Sequence, residues 1–455
     1  MPSSSSIAAI RFGAGLSPAS RAPVDAAALM AELSAPDHVA RDFPVAASAD
    51  IWDLARQIYA QGKAMRANTP GAAEAHRALQ QEAYATASAG LVSLLLRGQA
   101  APTGFRERLQ DFWSDHFTVV AANAALYALP TAMAEEAIRP NIATTFPQML
   151  RAVITHPAML VYLNQNTSFG PNSPAGKRQH KGLNENLGRE VLELHTLGVG
   201  AAYTQTDVRQ MAFLLTGLTV RPDTGFTFAP GMVEPMTEVV LGHRYGGPPR
   251  EKLSQIYLAL DEIALRPETA QHVCTKLATY FVADQPDKGL VAAMVAAYRA
   301  GDGALLPVYR AMLDHPAARA PLGAKVRRPF DFVMASVRAL QPPAATLKAL
   351  DRMQVNRLFA GPMANMGQAF QRAAGPNGWP EAAAAWIQPQ FLAARIQWAM
   401  AAPVALHPDL PDPRDFVQVA LAEAASPATR QAAMRAESRR EGIGLILASN
   451  DFNRR

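Results

Sequence analysis

The chain reads as mainly α-helical: one large helical domain over residues 1–455, with a short β-hairpin near residues 219–241. Three observations carry this. Ala-rich stretches with apolar residues at helical spacing run through most of the chain. β-Branched and aromatic residues bunch into strand-like pieces only between positions 219 and 241. Hydrophobic residues make up 49% of the 455 positions and charged residues 18%, which supplies a substantial core and excludes wholesale disorder. Sub-domain breaks are expected where the pattern lapses, near 164–183 and near 340–350.

The elements follow in order. Gly13 and Gly15 predict a tight turn that brings Arg11 and Phe12 against the body. It is not a phosphate loop, since no strand precedes it and no Lys-Ser/Thr follows. Residues 24–100 are periodic, broken near Pro36, Pro44 and Thr69-Pro70, and 91–96 is apolar nearly all round, as in a buried helix. In 103–118, Phe105, Leu109, Phe112 and His116 share a helical face. His116 therefore sits among aromatics with Asp115 beside it, which suits a core histidine and also a ligand or acid/base group. Residues 149–163 are helical, interrupted at His156-Pro157. Residues 164–182 have no apolar period; a stretch this long is either disordered or a lid. Tyr203 to Asp207 reads as a loop and cap into a helix over 208–216. Strand signals at 219–221, 226–228 and 238–241 are separated by Pro222-Asp223 and Pro230-Gly231 turns. Helices return at 253–264, 267–282, 289–299, 305–313 and 325–340. Gly378-Trp379-Pro380 sets a rigid aromatic on a loop, either a packing anchor or a lid, and the end is helical from Ala424.

The helix at 184–197 is the most polar part of this framework. Asn184 is its expected N-cap, with Glu185 and Asn186 in the first turn. At about 100° per residue, Glu185, Asn186, Arg189, Glu190, Glu193 and Thr196 occupy an arc of roughly 140°. Leu187, Val191, Leu192 and Leu194 cover the other side, and His195 goes with them. Gly198 and Gly200 end the helix. The polar side is either a solvated face with Glu185–Arg189 and Arg189–Glu193 spaced i,i+4, or an inward-facing cluster in which Arg189 partly neutralises three carboxylates. The face has no Lys, and Asn-Glu-Asn is an unusual lead for a solvated helix.

Composition excludes several classes. Net charge is +5 and the pI about 9.3, but no Lys/Arg block with interleaved aromatics exists, so no nucleic-acid partner is expected. Cys274 is the only cysteine, which excludes intramolecular disulfides and thiolate metal sites; it reads as a small buried apolar residue. No 18-residue apolar run is present, so no membrane span is expected. The first ten residues lack a signal peptide's basic and apolar regions. The chain as given reads as cytoplasmic; an exported protein relieved of its signal would read the same way.

The residues support two functional readings. The first is an enzyme with a buried Glu/Arg/His polar site doing metal-assisted or acid/base hydrolytic chemistry. Its catalytic candidates are Glu190, Glu193, His116, Arg189 and Arg139, the arginines as anion clamps. Its ligand contacts are Asn184, Glu185, Asn186, Gln205, Asp207 and Trp379. Glu190, Glu193 and His195 are the candidate ligands for a divalent metal, the cofactor itself being unknown. Glu193 and His195 lie about 160° apart on a regular helix, so a shared metal needs a break at His195. The second reading is a non-catalytic scaffold or accessory subunit, in which the polar cluster fixes helix register.

From Leu183 to Val199 the sequence resembles a bacterial family catalogued as domain of unknown function 1800, whose motif runs Leu-Asn-Glu-Asn-x-x-Arg-Glu-x-Leu-Glu-Leu-His-Thr-Leu-Gly-Val. Further matching points are Arg11-Phe-Gly-x-Gly15, Phe112-Trp113-x-x-His116-Phe117, Ile138-Arg139-Pro140, His156-Pro157-Ala158, Tyr203-Thr204-Gln205-x-Asp207, Gly378-Trp379-Pro380 and the closing Leu-Ala-Ser-x-x-Phe-x-Arg. The resemblance covers nearly the whole chain and implies no established reaction. It implies that members are often exported and often encoded beside a sulfatase-like protein, a candidate partner. Val233, Glu234, Glu238 and Arg266 stand where the family commonly has His, Asp, Lys and His, which puts any activity relying on those positions in doubt here.

Overall fold

The computed structural model describes residues 2–19, 23–221, 223 and 225–455; Pro222 of the expected turn lies outside them. The protein is mainly helical with two small antiparallel sheets. The helices used below are α1 (Ala72–Ala100), α2 (Phe105–His116), α3 (Asn186–Glu190), α4 (Gln205–Leu214), α5 (Pro267–Phe281) and α6 (Pro329–Leu340). Helices at Ala26–Ser34 and Ser48–Arg66 precede α1, so the breaks fall where the prolines placed them.

Two apolar cores form. The first gathers Phe105, Leu109 and Trp113 of α2, Leu187 of α3, Val191 and Leu192 just beyond it, and Val273, Cys274 and Leu277 of α5. The second gathers Leu91 and Leu95 of α1, Val333 and Val337 of α6, and Ile443 and Leu447 near the C-terminus. The glycine turn forms as the sequence predicts: Gly15 has φ 98°, and Phe12 stacks on Phe281 at 5.8 Å. Buried Arg11 donates to the carbonyls of Ala318, Ala320 and Pro321.

A charged layer joins the chain ends to α2 and α6. The buried Asp331 carboxylate pairs with Arg108, Arg327 and Arg455. Burial alone would raise its pKa; the three guanidiniums outweigh that and hold it well below the usual range. The ring of Tyr280 lies under Arg108, Arg328 and Arg455, 5.0, 4.8 and 5.1 Å from its centroid.

The expected hairpin forms, and a second strand pair follows it. β1 (Leu218–Arg221) pairs with β2 (Gly225–Phe228), and β3 (Glu238–Val240) pairs with a further strand, β4 (His243–Tyr245). Leu241 and Gly242 make the two-residue turn between β3 and β4 with φ 50° and 83°. Such turns are signalled by Asn-Gly or Asp-Gly, so a leucine there hid the turn, and β4 is too short and polar to announce itself. The helix expected over 325–340 begins at Pro329, because Val326 pairs with Arg454 in an isolated bridge. The 164–182 stretch is folded back on another segment: the Gly170 amide donates to Met232, and Asn172 donates twice to the Glu234 carboxylate. Among the described residues no helix is long and apolar enough to cross a membrane.

Candidate functional site

Helix α3 is not the regular α-helix that the periodicity implied. It starts two residues after Asn184, whose side-chain oxygen accepts from the Asn186 amide at 2.9 Å while Glu185 takes the N-cap position. After Glu190 it widens into a π-helical segment, Val191–Leu197, and ends at Gly198 with φ 93°. The Thr196 hydroxyl donates to the Val191 carbonyl five residues back. Wider turns shift every later side chain relative to an α-helical wheel, and such segments recur at functional sites.

The terminal carbonyls of this segment need donors, and histidine rings supply them. His116 Nε2 contacts the His195 carbonyl at 3.1 Å, and His272 Nε2 contacts the Leu194 carbonyl at 3.2 Å. Both rings must be neutral or charged donors at Nε2. Burial, then the nearby Lys276 ammonium and the other histidines, holds the His116 pKa well below its ordinary value, so the ring is neutral. Burial, then Lys276 and His272, push His195 down to about 3; burial, then Lys276, push His272 down to about 4. His116 stacks on Phe112 and meets Phe117 edge-on. His195 lies tilted against Phe117 at 5.2 Å. His272 was not foreseen from the sequence; its relation to Leu194 exists only in the folded chain.

Glu190 and Glu193 lie elsewhere. Both are half-buried, and neither forms an ion pair with a described residue. Burial, then the neighbouring Glu193 charge, pushes the Glu190 carboxyl up to about 7, with Arg189 opposing weakly. The Tyr203 hydroxyl is within reach of Glu193, and burial with that contact raises its pKa. Tyr162 feels the Glu190 charge. The sequence marked Tyr203 only as the start of a loop and motif, and Tyr162 not at all.

Arg189 does not neutralise this pair. It lies 3.7 Å from Glu185 and donates to Gln205, which donates in turn to Glu185. This triangle is partly exposed and excludes Glu190 and Glu193, so the inward-facing cluster in which Arg189 neutralises three carboxylates is corrected: Glu185 and Arg189 pair at the solvent edge, with Asn186 exposed beside them. The Arg139 clamp is corrected too. That guanidinium is buried and fully occupied by Asp37, Glu107 and Gln110. Asp207 forms a capping box with Thr204 at the start of α4 and accepts from the Leu241 amide at 2.7 Å. The metal trio is not assembled. His195 is held in the aromatic layer while Glu190 and Glu193 face the tyrosines. Among the described residues no three His, Cys, Asp or Glu side chains are placed to hold a metal ion.

Trp379 is both anchor and wall. Its amide donates to Asp115 at 2.9 Å, its ring lies 6.1 Å from Trp386, and it lines a cavity of about 90 Å³ beside Asp111 and Asp115. Arg328 bridges those two aspartates at 2.7 and 2.8 Å.

The departures from the family pattern are structural. Glu238 forms a buried ion pair with Lys252, Glu234 binds Asn172, Val233 is buried, and Arg266 pairs with Glu268 at 3.5 Å.

A family model described as "Protein of unknown function (DUF1800)" matches residues 7–454. No curated protein and no solved structure matches the chain.

Proposed function

The chain belongs to the DUF1800 family, whose description assigns no activity, and from that premise we propose an enzyme that performs acid/base hydrolytic chemistry with Glu190 and Glu193. The observation that carries this is an un-neutralised carboxylate pair, one turn apart on a widened helix, half-buried and free of ion pairs while the adjacent arginine is committed to Glu185. Two neighbouring carboxyls, one of them holding its proton more tightly through burial and the charge of the other, can divide into an acid and a base. Glu190 holds its proton near neutrality and donates it to a leaving group. Glu193 accepts a proton from water, and the Tyr203 hydroxyl steadies it. The side chains do not fit a shared metal with His195, so no step runs through one.

The alternative, a non-catalytic accessory subunit of the kind that would serve a sulfatase-like partner, is favoured by a different observation. His116, Arg139, Asn184 and Asp207 of the family motifs are spent on caps, carbonyls and ion pairs.

The test assays the full chain on chromogenic ester, phosphate-ester and glycoside panels beside Glu190→Gln and Glu193→Gln. Turnover that falls at least about 100-fold in either variant, with no loss of melting temperature, supports the enzyme. Turnover indifferent to both substitutions removes the assignment, and a large loss of melting temperature in both favours architecture.

A further inference from the structure

A second site lies away from the carboxylate pair, between α1 and the segment after α6. Tyr84 of α1 and Tyr127 meet edge-to-face with centroids 5.3 Å apart. Each carries an arginine on its ring: Arg352 lies 5.4 Å from the Tyr84 centroid and Arg372 5.6 Å from that of Tyr127. All four side chains line one cavity of about 430 Å³, within the range of small-molecule sites.

At the cavity beside Trp379 the nearby arginines are committed to carboxylates of its wall, Arg139 to Glu107 and Arg328 to Asp115. Here no acidic side chain lines the cavity among the described residues. Neither Arg352 nor Arg372 forms an ion pair with a described residue or donates a side-chain hydrogen bond to one. A cation–π contact positions each guanidinium without using its N–H donors, which stay available to bind a carboxylate or phosphate. Two cations facing one space repel until an anion enters it. The rest of the wall is mostly apolar, from residues such as Leu91, Val120 and Phe370, with Ser88, Asn356 and Gln371 as its neutral polar members, which suits a hydrocarbon or aromatic body and not a bare ion. A π-helical segment, Asn356–Ala360, contributes Asn356 and Ala360 to the rim.

We infer that this cavity binds a small organic anion, a carboxylate or phosphate group on an apolar or aromatic body, with Arg352 and Arg372 holding the charge and Tyr84 and Tyr127 holding the guanidiniums. The inference stands independently of the Glu190–Glu193 reading, since it uses none of the same residues.

Calorimetric titration of the full chain tests it with four probes: phenyl phosphate, benzoate, benzyl alcohol and inorganic phosphate. At least one of the two aryl anions should saturate with Kd below about 1 mM, and which one does so distinguishes phosphoryl from carboxylate. The uncharged alcohol and the bare phosphate should bind at least about tenfold more weakly. Arg352→Gln and Arg372→Gln should each weaken the aryl anion by about tenfold or more. Both side chains reach the surface, and an unchanged melting temperature confirms that the variants fold. Raising the salt concentration should weaken binding. The inference is overturned if neither aryl anion saturates, if the double variant binds as the parent does, or if benzyl alcohol or inorganic phosphate binds as tightly as the better aryl anion.

Discussion

Replacing Glu190 by Gln should stabilise this protein at alkaline pH and leave it unchanged in acid. The Glu190 carboxyl is held at about 7 in the folded chain by burial and by Glu193, and returns to about 4.3 when the chain unfolds. A carboxyl raised on folding binds its proton more tightly in the native state. Stability is therefore lost as pH rises from the unfolded value through the folded one, and the loss is complete above about 7. Fully felt, such a displacement corresponds to about 4 kcal/mol; Glu190 is only half-buried, and solvent screening reduces this to about 1–2 kcal/mol. Unfolding entropy grows with chain length, so for a protein of this size each kcal/mol moves the melting temperature by about 1 °C. The gain of Glu190→Gln over the parent should thus grow by about 1–2 °C between roughly pH 4 and pH 8. A ¹³C titration of labelled glutamate carboxyls, read as parent minus variant, should place the Glu190 midpoint near 7, and Glu193→Gln should lower it. A variant no more stable than the parent at pH 8, or a Glu190 midpoint in the ordinary glutamate range, would refute the reasoning.

Four further outcomes follow from the same geometry. Asp331→Asn leaves Arg108, Arg327 and Arg455 without their counter-ion and should cost about 3–5 kcal/mol in urea denaturation; a loss below about 1 kcal/mol would show that the layer is dispensable. Lys252→Met strands the buried Glu238 carboxylate and should cost a similar amount, whereas Lys252→Met with Glu238→Leu should recover most of it. His116 and His195 are both held below their ordinary pKa, so their contribution is present above about 6.5 and lost as pH falls. Substituting both by Phe should flatten the acid limb of the stability curve, and an unaltered limb would assign it to other groups. Metal analysis of protein purified without added metal should give the same content for the parent and for His195→Ala, because His195 faces the aromatic layer.

The sequence by itself determined the helical class, most helix boundaries, the glycine turn at Arg11, the burial of Cys274 and the strand-bearing stretch. These depend on local periodicity, on prolines that stop helices and on glycines that permit positive φ, all of which are written along the chain. It also marked Glu190 and Glu193 as unusual. What only the tertiary structure decided is which polar groups remain free. Arg139 looked available until Asp37, Glu107 and Gln110, brought from far along the chain, occupied it. His195 looked like a metal ligand until Phe117 and His116 packed round it. Arg352 and Arg372 carried no signal in the sequence; the fold sets them over two tyrosines facing one cavity. The physical reason is that a charged side chain's role is set by its partners, and partners tens to hundreds of residues away leave no periodic trace in the sequence. The widening of the helix beyond Glu190 belongs to the same class, since two histidines from other helices hold the carbonyls at its end.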